Sequence, residues 1–281
     1  MTLPVNHILT PYDFSDTSKT ALNHALQIAR RKEAKVTLIH AIEMPYDFAA
    51  MQEQFKNQMS SEVEQLFSDL KEEILGQEQY SKLTIETKIL YGQIISSILT
   101  SAKELSPDLL VMGTTGASDI SKKLFGSKTK EIILYADVPV LAIPKDWGFE
   151  DHKHITFLTD YHEGDLEALK QTAEWGNMLN AEISVLHITE TATLKAEIMH
   201  RGFRELASQK VDYPNLDVDL ITGKNFLAGI NEFLNIHPDS ILVMVRYKKH
   251  FFRNIFNKSH SKELAHYSKN PLLVLPGKGV T

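Results

Sequence analysis

Cysteine is absent from the 281 residues. That excludes a disulfide framework, a thiolate zinc site, an iron–sulfur cluster and a cysteine nucleophile, and it fits a reducing compartment. Basic charge is also short. Thirty Lys+Arg stand against thirty-six Asp+Glu, a net charge of -6, which argues against a protein that coats nucleic acid. No run reaches the ~18 uninterrupted apolar residues of a membrane span. The opening MTLPVNHILTPYDF has no basic stretch leading into an apolar one, so neither a signal peptide nor an integral membrane protein is expected, and the expected location is cytoplasmic. The H-E-x-x-H zinc helix, the G-x-S-x-G nucleophile elbow and the G-x-x-x-x-G-K-[ST] phosphate loop are all missing. No carboxylate marks itself as a general base, so no catalytic residue is nominated. Twelve histidines are present, but His152, His154 and His162 fit no zinc spacing, and His260 and His266 do not share a helical face. His40 and His187 sit inside apolar strands, as satisfied core or strand-end residues. No dedicated metal cage is expected.

What the chain has is a repeat. Residues 7–43 align without a gap on 154–190 at an offset of 147, with Ile8/Ile155, Asp13/Asp160, Ala21/Ala168, His40/His187 and Glu43/Glu190 identical. A second block aligns at an offset of 132, pairing Leu110-Val111-Met112 with Leu242-Val243-Met244, Ser127 with Ser259, Tyr135 with Tyr267, and Pro139 and Pro144 with Pro271 and Pro276. Two copies of ordinary domain size make up the chain. The expected domains are 1–146 and 152–281, joined by the polar segment around Lys145–Asp151.

Each copy alternates strand and helix. The first copy reads as a strand at Val5–Thr10 and a helix over 16–32 with Ala21, Leu22, Ala25, Ile28 and Ala29 on one face. A β-branched strand follows at Lys35–Ile42. A long amphipathic helix is read over 47–75, with Phe48, Met51, Phe55, Met59, Val63, Leu66, Leu70 and Ile74 three or four apart. Then come a strand at Leu83–Leu90, a helix at 93–105, a strand at Asp108–Met112, a helix from about Ser127 to Ala136, and a strand at Val138–Ile143. The second copy has a shorter helix over 191–210. Five strands with helical crossovers per copy give an α/β protein of two doubly wound, five-stranded parallel-sheet domains.

The chemistry concentrates after the strand that ends at Met112. Gly113-Thr-Thr-Gly116, nine residues, then Gly126-Ser127 and a helix give the spacing G-x2-G-x9-G-S. Backbone N–H groups hold phosphates at close range where side chains are missing, and a helix start adds free amides and a favourable dipole. Lys130 takes the place where a capping box would put Glu or Gln. The plainer reading is that Gly113 and Gly116 turn the chain and Ser127 caps the helix; three glycines and a serine together favour an anion site. Open α/β sheets bind ligands beyond the carboxyl ends of strands, and the loop Thr10-Pro11-Tyr12-Asp13-Phe14-Ser15 reaches the same crevice. Asp13 can accept from a base or ribose, and its persistence as Asp160 gives it a structural part as well.

The start Pro11-x-Asp13-x-Ser15, VTLIHAIE, DLLVMG, the G-x2-G-x9-G-S loop and VPVLAIP together resemble the universal stress protein family. The resemblance covers residues 5–144, and the chain is similar to a tandem member. It implies an adenine-nucleotide α-hydrolase-like fold, with ATP as ligand and Mg or Mn carried by its phosphates. Adenine would lie beside Asp13 and Ala41, ribose near Pro11 and Gly113, and phosphates on Gly116, Gly126 and Ser127. Family dimers pair their last strands across a two-fold axis, so the resemblance implies an internal pseudo-dimer here; a homodimer of the whole chain stays open. Partners would be adenine nucleotide and unidentified regulatory proteins, with no nucleic acid.

The second copy replaces Pro11, Gly113, Gly116 and Gly126 by Leu158, Val245, Lys248 and Lys258. One nucleotide site per chain is therefore expected. The basic–aromatic run Arg246–Lys258 is read first as a solvated loop, and alternatively as a contact for an anionic partner or membrane surface. Lys122 and Lys123 are equally open between γ-phosphate neutralisation and solvent exposure. The leading function is an ATP-binding regulatory module with at most slow hydrolysis. The alternatives are an ATPase or nucleotidyl transferase, and a non-nucleotide binding protein.

Overall fold

A computed structural model of the chain describes residues 5–43, 52–115, 126–149, 153–247 and 269–277, without the side chains of 52–56. Gly116, Lys122, Lys123, Lys248–Lys258, His260, His266 and the expected helix start at 47–51 lie outside the described residues.

The first half runs β1 (His7–Pro11), α1 (Asp16–Lys32), β2 (Lys35–Ile42), α2 (Gln52–Leu75), β3 (Ile85–Tyr91), α3 (Ile94–Leu105), β4 (Leu109–Gly113), α4 (Ser127–Tyr135) and β5 (Val140–Ile143). The second runs β6 (His154–Leu158), α5 (Asp165–Leu179), β7 (Glu182–Thr189), α6 (Leu194–Lys210), β8 (Leu216–Thr222), α7 (Phe226–Ile236), β9 (Ser240–Arg246) and β10 (Leu272–Pro276). One ten-stranded sheet holds both, in the order β3-β2-β1-β4-β5-β10-β9-β6-β7-β8. Strands are parallel within each half, and β5 meets β10 antiparallel.

The sheet is covered on both faces, which is why its inner strands are continuously apolar. Ile8, Leu109 and Val111 face α1, α2, α5 and α6 in one cluster; Leu9, Leu110 and Met112 face α3, α4 and α7 in the other. Helix α1 buries the five residues expected of it. Its N-cap is Ser15, whose side chain accepts from the Ser18 amide, an exchange of the kind that contributes about 1 kcal/mol.

The repeat extends to the backbone. Phe14 and Tyr161 are repeat mates and both take positive φ, 63° and 56°; so do Glu33 and Asn180, at 55° and 53°. These left-handed positions cost energy for a residue with a Cβ, so they persist because the chain must turn there. At the centre, Leu273 pairs with Leu141, Leu272 with Ala142 and Val274 with Val140. Leu141 and Leu273 are themselves mates at the offset of 132, so the pseudo-two-fold axis passes through that pair and the internal pseudo-dimer is realised.

Several boundaries differ from the sequence reading. The first strand runs on to Pro11, which pairs with Ile39, because a proline without an amide is tolerated at a strand end. The last strand of the first half starts at Val140, after Pro139, rather than at Val138. In α2 it is Phe67, 2% exposed, that enters the core, while Leu66 is 49% exposed.

Candidate functional site

The strand order reverses between β1 and β4, which leaves a crevice beyond their carboxyl ends. A cavity of about 130 Å³, open to solvent, occupies it, and its lining includes Pro11, Asp13, Ala41, Gly113, Gly126 and Ser127. Six of the seven residues expected from the sequence thus meet at one cavity; Gly116 lies outside the described residues. The floor is apolar, made by Ile39, Ile94, Ile98, Met112 and Ile132.

The β1 loop is pinned from below. The Tyr12 amide donates to the Ile39 carbonyl at 2.8 Å, and His40 Nδ1 donates to the Tyr12 carbonyl at 2.7 Å. Its mate His187 Nδ1 donates to the Thr159 carbonyl at 2.9 Å, so both histidines are strand-end pins. Phe14 packs against Tyr12, His40 and Phe67 beneath the loop. Asp13 divides its duty. Its Oδ1 accepts from the Ser15 hydroxyl at 2.6 Å and the Ser15 amide at 3.2 Å, orienting the α1 cap, while the residue itself stands exposed at the cavity rim.

The far wall is the start of α4, and here two expectations are corrected. The N-cap is Gly126, at φ -57° and ψ 152°, and Ser127 is the first helical residue. The capping-box position is then Thr129, not Lys130. The cause is a staple: the Gly126 amide donates to the Thr114 carbonyl at 2.7 Å, and Thr129 Oγ1 donates to the Gly113 carbonyl at 3.0 Å. The Gly126 amide is therefore already used, and its contribution is the missing side chain. The next amides, of Ser127 and Lys128, have no intrahelical acceptor, and among the described residues no side chain caps this end. Lysines stand at 128 and 130 with no acid in the first turn, whereas α1, α5 and α6 all place Asp or Glu there. Cations at the positive end of a helix dipole oppose it unless an anion is present. Lys128, on the cavity, was not singled out from the sequence; a lysine at N2 with no acidic neighbour was the available signal.

Gly113 has a packing reason of its own. A Cβ there would come within 2.5 Å of Thr17 Cγ2, so its side-chain direction points at α1, and only its main chain can serve a ligand. Across the repeat, Thr17 and Gly113 become Gly164 and Val245, and the space over Gly164 is taken by the Tyr247 ring, whose hydroxyl lies 2.6 Å from where a Cβ would fall.

The second half ties its own loops together. Tyr247, mate of Thr115, stacks on the His162 ring at 3.6 Å and donates to Asp165 Oδ1 at 2.8 Å. Buried Asp165 also accepts from Thr159 Oγ1 at 2.6 Å and the His162 amide at 3.0 Å. Burial, then the Asp165 carboxylate, raises the Tyr247 phenol far above its usual range, so it stays a donor. The loops after β6 and β9 are thereby bridged by the protein's own atoms. Among the described residues, no group of three His, Asp or Glu comes together to hold a metal, and no helix is long and apolar enough to cross a membrane.

Comparison with known proteins agrees with this architecture. The universal stress protein family model matches residues 4–144. A universal stress protein of Methanocaldococcus jannaschii is 33% identical over 147 residues, covering 49% of this chain and 81% of that protein. The stress response protein NhaX of Bacillus subtilis is 26% identical over 161 residues, covering 49% of this chain and 97% of its own length. The crystal structure of a universal stress protein from Archaeoglobus fulgidus superposes with a TM-score of 0.75 over 98% of both chains at 17% identity, a likeness of fold. With the family model on the first half and a two-half fold spanning the whole length, the chain belongs to the universal stress protein family.

Proposed function

We propose that the first half binds ATP in the crevice between β1 and β4, and that the protein is a cytoplasmic regulatory module whose bound state is read by other proteins, with at most slow hydrolysis. The observation that carries this reading is a helix start whose N-cap glycine brings no side chain, bearing Lys128 and Lys130, facing an apolar crevice at the point where strand order reverses. In this reading adenine lies over the apolar floor beside Asp13 and Ala41, with ribose at Pro11 and the main chain of Gly113. Phosphates lie on Gly116 and on the Ser127 and Lys128 amides, with Gly126 leaving the approach clear. Mg or Mn rides on the phosphates. The bridge of Tyr247, His162 and Asp165 supports a single site per chain, and the two domains are taken as 1–146 and 152–281.

The test is to purify the chain without added nucleotide, denature it and identify released small molecules by mass spectrometry. ATP or ADP near one per chain supports the reading. An empty protein that also ignores millimolar Mg·ATP rejects it.

A further inference from the structure

Arg246 ends β9 in the second half, yet its guanidinium lies on the first. Nη1 donates to the Leu134 carbonyl at 2.7 Å and Nη2 to the Ala136 carbonyl. These are carbonyls at the carboxyl end of α4, which no intrahelical amide can reach. One planar fork thus caps the negative end of that helix with two charge-assisted bonds. The arginine is itself fixed: its carbonyl accepts from the Gly277 amide at 3.1 Å, and it pairs in register with Pro276. The counterpart of Arg246 in the first half is Thr114, which carries no charge, so the contact has no symmetric equivalent through that position.

We infer that Arg246 is a positioning residue for the nucleotide site of the opposite half, giving the second half control over how α4 presents its amino end. This rests on the nucleotide reading above and adds its regulation. Helix α4 has nine residues, about 13 Å at 1.5 Å per residue. A helix that short does not hold itself. Buried Ile132 and Ile133 seat it on the sheet, its amino end is tied at Thr114 and Gly113, and Arg246 ties its carboxyl end. The Ser127 and Lys128 amides hold their aim best while both ends are tied. The fixed charge at the far end also offsets the dipole's negative pole without covering the positive one. A shift between halves that draws Arg246 away loosens α4 and weakens nucleotide binding. By linkage, bound nucleotide favours the arrangement in which the fork is engaged.

The experiment uses the full chain with two readouts, amide hydrogen exchange without ligand and calorimetric titration with Mg·ATP. Arg246→Met keeps the apolar stem and removes the fork; Arg246→Lys keeps the charge and can reach only one carbonyl. In Arg246→Met, exchange across Ser127–Ala136 rises and ATP affinity falls, each by about tenfold, with Arg246→Lys in between. Val218→Ala, a core change in the edge strand β8 and in the other apolar cluster from α4, leaves ATP affinity as in the wild type although it lowers overall stability. Unchanged α4 exchange, or wild-type affinity in Arg246→Met, overturns the inference. A wild type that binds no ATP overturns the nucleotide reading instead, and α4 exchange in Arg246→Met still decides whether the fork seats the helix.

Discussion

Thr17 and Gly113 pack so closely that no side chain fits between them. The pair predicts a compensating double variant. Gly113→Val alone forces a side chain onto Thr17, 2.5 Å from where its Cβ would fall, and costs about 1–3 kcal/mol by overpacking. Adding Thr17→Gly recovers at least about 1 kcal/mol of that loss in urea denaturation, a coupling expected only of residues in contact; purely additive effects would contradict that contact. A second residue sets a pH dependence. His154 is 4% exposed, bonded to Ser240 and Ser184 through its two ring nitrogens. Burial and then the stacked His237 ring lower its pKa from 6.5 to about 4. Its folded-state value lies below the unfolded one, so the unfolded chain takes up the proton first as pH falls. The stabilisation, about 3 kcal/mol, is fully present above pH 6.5 and is lost progressively between pH 6.5 and 4. A His154→Asn variant lacks this component, so its urea stability falls less than that of the wild type between pH 7 and pH 4.5. Equal falls would contradict the assignment. Neither the Thr17–Gly113 contact nor the buried histidine network was legible in the sequence, because each depends on contacts between residues 30 to 100 positions apart.

Helix α1 was legible to its ends because apolar spacing, the Ser15 cap and the basic last turn all agree. In α2 the period was right and the phase partly wrong. Leu66 and Phe67 are adjacent, and only packing against Tyr12 and Phe14 selects the aromatic ring. The start of α4 at Ser127 was read correctly, but its cap was misplaced by one residue because serine is the better N-cap by preference, while the backbone bond from Gly126 to Thr114 decides the matter. That same element carries the site's most direct variant. Gly126→Lys copies the second half's Lys258 and places a side chain at the helix entrance. Glycine-to-lysine at an N-cap costs the fold at most about 1 kcal/mol, so the protein stays folded by circular dichroism. Calorimetry then shows ATP affinity reduced by at least about tenfold. Undiminished affinity would mean the phosphates lie elsewhere.

The whole molecule was the most legible level. Two offsets, 147 and 132, already specify two equivalent halves, and the antiparallel contact through Leu141 and Leu273 follows from covering two apolar edge strands. The lost glycines already marked the halves as unequal; hidden from the sequence was the form that inequality takes. One keeps an open crevice with a bare helix start. The other bridges its loops with Tyr247 and spends the preceding residue, Arg246, on its neighbour's helix. That inequality is the core of the account, and binding stoichiometry reads it directly. Titration of the nucleotide-free full chain with Mg·ATP is predicted to saturate at one molecule per chain, and saturation at two, or no binding at all, would contradict it.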